Sequence, residues 1–369
     1  AKTSGNDTIY GFSWEDILDG GAGDDYLSGG NENDTYIFGL GYGSDTIRDS
    51  KTIILSGGTD TLKFKAGILP QDVTLSRIED SHNVTMTLPD NSSVTIVNQF
   101  DLIYTGPFGV QEFDRIERFE FADGTVWTYE DIQQMLIDQN TTSGNDAIYG
   151  YEREDTLEGG LGDDFMDGGH EGDTYIFNRG DGNDTIYDFS AGLTYAPLNN
   201  VDSLYLNNVN STDVVVTRPG GLNDLVINVN NNGGSIRLKD QAVSQSIIFT
   251  EIERFVFADS VIWSAADLRV RYLLDAKTTG DDYIVGFRGD DTLDGGLGND
   301  RLEGGGNGDT YIFDVGYGQD IIRDYIGNVT WNNPDRVEFG AGITTSNLTA
   351  RRTGDDLIIK VIGTNDQLT

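Results

Sequence analysis

The sequence predicts an all-β protein in which three short solenoid blocks alternate with small antiparallel β segments and short linking helices. Three observations predict it. Aspartates recur in three series of five, each series stepping 9, 9, 9 and then 11 residues. An apolar residue follows each aspartate two places on. Between the blocks the chain alternates apolar and polar residues, as half-buried strands do.

The first series is Asp7, Asp16, Asp25, Asp34 and Asp45. The second is Asp146, Asp155, Asp164, Asp173 and Asp184, and the third is Asp282, Asp291, Asp300, Asp309 and Asp320. In the first block the apolar partners are Ile9, Leu18, Leu27, Tyr36 and Ile47. They are Ile148, Leu157, Met166, Tyr175 and Ile186 in the second, and Ile284, Leu293, Leu302, Tyr311 and Ile322 in the third. The stretch Gly20 to Ser28 shows the unit, G-G-A-G-D-D-Y-L-S. Glycines at places one, two and four allow positive φ and close approach of stacked turns. Places seven to nine form a short strand whose middle residue points inward. So short a unit cannot bury an apolar face alone and must stack on copies of itself.

Two units complete one coil, so Asp7 is expected to lie over Asp25 and Asp16 over Asp34. Stacked carboxylates, with the turn carbonyls of Gly20, Gly21, Gly23, Gly159, Gly160, Gly162, Gly295, Gly296 and Gly298, make an all-oxygen cage. Such a cage suits a hard cation of calcium size. All fifteen aspartates are candidate ligands, and three stacked pairs per block put the upper count at about nine ions.

The unit resembles the RTX, or haemolysin-type calcium-binding, repeat G-G-x-G-x-D-x-U-x. Gly20 to Leu27, Gly159 to Met166 and Gly295 to Leu302 match it in full. Flanking repeats depart from it: Gly11 to Asp16 lacks the second and third glycines, and Glu32 and Glu171 stand at place four. Weaker sites are expected there. The resemblance implies that each block is a short parallel β-roll. It also implies a large secreted bacterial protein, exported by type I machinery and folded outside the cell by calcium. Ile116 to Trp127 and its echo Ile252 to Trp263 resemble the haemolysin-type calcium-binding-related segment that often follows such repeats.

In order, the expected segments are roll 1 over 1–50, a capping β segment with a short helix over 51–140, and roll 2 over 141–190. A second capping segment follows over 191–276, then roll 3 over 277–325 and a truncated β segment over 326–369. Each block ends in an aromatic strand, Tyr36-Ile37-Phe38, Tyr175-Ile176-Phe177 or Tyr311-Ile312-Phe313, expected as core and closing plug. Val84 to Leu88, Val94 to Val97, Val214 to Arg218, Leu225 to Val229 and Leu357 to Val361 read as strands of a small antiparallel sheet packed on the roll. Capping boxes open the two linking helices, Thr128 with Asp131 and Ser264 with Asp267. The third block lacks its Ile-Glu-Arg-Phe segment, so its C-terminal end is expected to fray.

Composition narrows the partners. The chain has 62 acidic and 24 basic residues and a formal charge of -38. It therefore repels nucleic acid and anionic membrane. It has no cysteine, so disulfides do not staple it. No stretch of 18 apolar residues is present to span a membrane. The first residues run directly into a repeat rather than a signal peptide, and the chain reads as a fragment of something larger. His82 and His170 are the only histidines and fall in turns. There is no zinc-protease helix, no Gly-x-Ser-x-Gly elbow and no Asp-Pro bond. The paired carboxylates are absorbed by the metal register, so no enzyme activity is expected. Alternatives are a ligand- or host-binding module, with Tyr104, Phe108 or Trp331 in an aromatic groove, and the non-catalytic tail of a secreted enzyme.

Overall fold

A computed structural model describes residues 4–49, 58–77, 82–100, 103–104, 110–111, 115–151, 154–169, 171–188, 201–221, 223–242, 251–324 and 334–369. The Tyr104 side chain, Phe108, His170 and Trp331 lie outside the described residues. The chain forms two compact units, 1–140 and 141–369.

In the first unit successive strands are dealt alternately into two sheets, which is what a coil of two nine-residue units requires. One sheet runs in the order Thr8–Tyr10, Tyr26–Ser28, Ser44–Ile47, Ser93–Ile96, Val84–Thr87 and Thr74–Ser76. Its first four strands pair in parallel and the last three form an antiparallel meander. The other sheet holds Ile17–Asp19, Thr35–Phe38, Thr61–Phe64, Arg118–Glu120 and Val126–Thr128, parallel until the final hairpin. Register follows the repeat: Ile9 faces Leu27 and Leu18 faces Tyr36, one 18-residue coil apart. After the two-residue insertion Leu27 faces Ile47. Because side chains alternate along a strand, Leu27, Ile47, Val94 and Ile96 are buried on one sheet and Leu18, Tyr36, Leu62 and Phe119 on the other.

The second unit repeats this plan twice. Residues 147–264 give a six-stranded and a five-stranded sheet in the same order. The third roll has its six-stranded sheet, but the partner sheet has three strands, ending at Arg336–Phe339. Phe339 is accordingly half-buried, whereas Phe64 and Leu206, at the equivalent places of the first two modules, are buried. Two helices, α1 (Tyr129–Asp138) and α2 (Ala265–Asp275), start at the expected capping boxes, with Thr128 and Ser264 accepting from the N–H of Asp131 and Asp267.

The all-β roll class stands, and three details differ from the sequence expectation. The capping strands do not stack on the roll as a separate sheet; they extend its own two sheets edge to edge. The aromatic strands are internal, each flanked by a parallel strand on both sides, because a later segment continues the coil. The C-terminal end does not fray: Gln367–Leu368 joins the third roll, and the Thr369 N–H donates to the Asp320 carbonyl. No described helix is long and apolar enough to cross a membrane.

Candidate metal centres

The repeat aspartates form two vertical columns in each module. Each backbone N–H donates to the Oδ1 of the aspartate one coil later. Asp7 donates to Asp25 at 2.7 Å and Asp25 to Asp45 at 3.0 Å. On the other sheet Asp16 donates to Asp34 at 2.8 Å. The second module aligns Asp146, Asp164 and Asp184, and beside them Asp155 and Asp173. The third aligns Asp282, Asp300 and Asp320, and beside them Asp291 and Asp309. All fifteen sequence-selected aspartates are thus in stacked register, with a backbone N–H between successive carboxylates.

The ladder engages Oδ1 of the later aspartates and leaves their Oδ2, whereas in Asp16, Asp146, Asp155, Asp282 and Asp291 the Oδ2 accepts a backbone N–H of its own turn. The Oδ2 atoms of Asp25, Asp45, Asp164, Asp300 and Asp320 are buried and receive no hydrogen bond. In the repeats that match the pattern in full, the carboxylate folds back over the first glycine of its own turn. A Cβ on Gly20 would lie 2.2 Å from Asp25 Oδ2, and one on Gly159 or Gly295 would lie 2.5 or 2.3 Å from the Oδ2 of Asp164 or Asp300. Gly23, Gly162 and Gly298 adopt φ of 128°, 138° and 140°, and their carbonyls are stacked closely under Gly43, Gly182 and Gly318. Gly21, Gly160 and Gly296 also have positive φ.

Burial raises these acids. It pushes Asp45, Asp184 and Asp320 up to about 7. Asp164 and Asp300 move up for the same reason. A buried carboxylate oxygen without a donor is costly unless a proton or a cation neutralises it. The donor set is oxygen only and carries excess negative charge, so the residues fit calcium.

Sequence reasoning missed eight members of this system. Asp60, Asp202 and Asp335 extend the second column, accepting from Asp34, Asp173 and Asp309 across 26, 29 and 26 residues. Glu117 and Glu253 carry it one level further, accepting from the N–H of Asp60 and Asp202 at 2.7 and 2.8 Å. Asp49, Asp188 and Asp324 enter from the strand after the insertion. A signal existed: each follows the fifth series aspartate by four places, and Asp60, Asp202 and Asp335 each have an apolar residue two places on. Irregular gaps hid them from a search at fixed period.

These residues converge. Asp34, Asp49 and Asp60 bring one carboxylate oxygen each within 4.8 Å of the others, as do Asp173, Asp188 and Asp202, and Asp309, Asp324 and Asp335. A buried tyrosine accompanies each group. Tyr36 accepts from the Gly29 N–H and donates to Asp49 at 2.5 Å; Tyr175 accepts from Gly168 and donates to Asp188 at 3.2 Å. Burial and then the Asp188 charge hold these groups in the neutral form, pushing Asp173 up to about 10 and the Tyr175 hydroxyl above its ordinary range.

Comparison with known proteins gives two family matches. The RTX calcium-binding nonapeptide repeat (4 copies) matches residues 15–44, 140–175 and 278–311. The haemolysin-type calcium binding protein related domain matches 90–131 and 224–267. The chain is similar to the iron-regulated protein FrpA of Neisseria meningitidis serogroup C, 31% identical over 129 residues, covering 35% of this chain and 11% of that protein. Among solved structures it has a likeness to the extracellular lipase LipA from Serratia marcescens, at 16% identity and TM-score 0.19, over 71% of this chain and 39% of the lipase.

Proposed function

This is an RTX protein chain with calcium-binding nonapeptide repeats and haemolysin-type related domains, and we propose that it is a calcium-folded region of a larger secreted bacterial protein of toxin or adhesin type. The observation that carries this reading is the set of buried, donorless Oδ2 atoms at the repeat aspartates. In that reading the fifteen series aspartates, with turn carbonyls such as those of Gly20, Gly21 and Gly23, hold up to about nine calcium ions. Without metal, stacked carboxylates resist closure of the coil. With metal, each ion joins two turns, and stacking makes folding cooperative. The chain itself does no chemistry; its work is to stay loose where calcium is scarce and become compact outside the cell, after export by a type I system. The similarity to a small part of a much longer bacterial relative supports a parent protein of that kind.

Calcium titration followed by circular dichroism and small-angle scattering tests this, with EDTA and magnesium as controls. The expected outcome is a cooperative gain of β signal and compaction with calcium. Equal compactness and β content in EDTA overturns it. Asp25→Asn and Asp164→Asn are each expected to lower the calcium count.

A further inference from the structure

We propose that each module carries a second kind of cation site, at the seam where the repeat block meets the segment after it. Its ligands are Asp34, Asp49 and Asp60 in the first module, Asp173, Asp188 and Asp202 in the second, and Asp309, Asp324 and Asp335 in the third. Its occupant is a hard divalent cation of calcium size. Only one aspartate in each trio belongs to the nonapeptide register; the other two come from the strand after the insertion and from the next parallel strand.

Geometry sets the class of ligand. Three carboxylate oxygens within 4.8 Å of one another surround a point. Calcium–oxygen distances of about 2.3–2.6 Å place ligands on opposite sides of the ion about 5 Å apart. The first two trios are buried throughout. Asp173 Oδ2, Asp188 Oδ1, Asp309 Oδ2 and Asp324 Oδ2 are buried and accept no hydrogen bond. Their Oδ1 or Oδ2 counterparts are already engaged, so the oxygens left over are the ones a cation would take.

An independent observation comes from the tyrosines. Tyr311 is 2% exposed, and its hydroxyl lies against the Gly304 N–H and the Asp324 carboxylate without reaching good hydrogen-bond geometry to either. That hydroxyl sits beside Asp324 and Asp309, close enough for their charges to act on it. A buried phenol oxygen without a well-placed partner is uncommon and costs stability. A cation in the trio gives it something to face. Tyr36 and Tyr175 present their oxygens to the same place in the other modules.

The site ties three stretches of chain together. Calcium there locks the strands Thr61–Phe64, Ser203–Leu206 and Arg336–Phe339 onto their rolls, so the repeat block and the related segment fold as one. The assignment rests on the calcium reading for the identity of the ion alone.

Native mass spectrometry of the whole chain at saturating calcium counts the ions. The triple variant Asp49→Asn, Asp188→Asn and Asp324→Asn is expected to lose three ions, and each single variant one. Asp25→Asn runs in parallel and reports on the repeat cages. An unchanged count in the triple variant, with an ion lost in Asp25→Asn, overturns the seam site and leaves the repeat reading standing; the trios then hold protons. A wild-type chain that binds no calcium overturns both. Should the triple variant fail to fold, Tyr311→Phe removes no well-formed protein hydrogen bond and is the cleaner probe. It is expected to weaken one calcium site about tenfold. Unchanged calcium binding in Tyr311→Phe overturns the hydroxyl's place in the site.

Discussion

Glu32, Glu171 and Asn307 stand at place four of their turns with φ of 72°, 69° and 72°. Their φ stays positive, but about 60° below the 128° to 140° of Gly23, Gly162 and Gly298, in the left-handed region that a side chain can enter. A glutamate in that conformation costs about 1 kcal/mol. Glu171→Gly is therefore expected to raise stability by up to about 1 kcal/mol in calcium, read by denaturant unfolding. A loss of stability would mean that the Glu171 side chain does something the turn needs. The opposite substitution is harsher at place one. A Cβ on Gly168 would sit 2.2 Å from Asp173 Oδ2 and 2.5 Å from the Tyr175 hydroxyl. Gly168→Ala is expected to cost about 1–3 kcal/mol, with weakened calcium binding in the same titration. At this scale the sequence showed the fifteen repeat aspartates and their glycines, because a fixed period marks them. It did not show Asp49 or Asp60 as ligands, because their partners are fixed by coil stacking across gaps of unequal length.

Among the elements, the strands were legible wherever alternation was local, as in Leu225–Val229 and Asp356–Val361. Their pairing was not. Ser44–Ile47 finds its parallel neighbour in Ser93–Ile96, and no local pattern announces a partner so distant in the chain. The sheets therefore looked like separate caps when they are continuations of the roll. A buried glutamine secures the late strand in each of the first two modules. Gln241 donates to the Ile252 carbonyl at 2.9 Å and accepts from its N–H at 3.0 Å; Gln99 does the same to Ile116. Gln241→Leu leaves both backbone groups of Ile252 buried and unsatisfied, which costs on the order of 1–3 kcal/mol for each. Hydrogen exchange is expected to speed up in Arg254–Phe257 while Phe165–Asp167 stays protected. Equal acceleration of both strands would show that the clamp has no local role.

Over the whole molecule, charge decides. Asp45, Asp184 and Asp320 are pushed by burial to about 7 in the metal-free fold, above an unfolded carboxylate near 4. The folded state then holds more protons than the unfolded one between those values, so the metal-free fold loses stability as pH rises through that window. Circular dichroism of the metal-free chain is expected to show β structure growing as pH falls from about 8 toward about 4. Steady loss of structure on acidification would contradict this. The second unit adds a constraint of another sort. Arg218, from the segment after roll 2, donates to the Val285 and Gly286 carbonyls at 2.9 and 2.7 Å, and its guanidinium lies 5.1 Å from the centre of the Phe287 ring. The Tyr272 hydroxyl on α2 accepts from the Val285 N–H at 3.3 Å, and α2 also touches Thr292–Asp294. The first coil of roll 3 is thus plugged by the module before it. Sequence repetition and mechanical joint are out of phase here: a break between residues 276 and 277, where homology would divide the chain, opens that plug. The portable piece for grafting or shuffling within this unit runs instead from the late strands of the second module into roll 3.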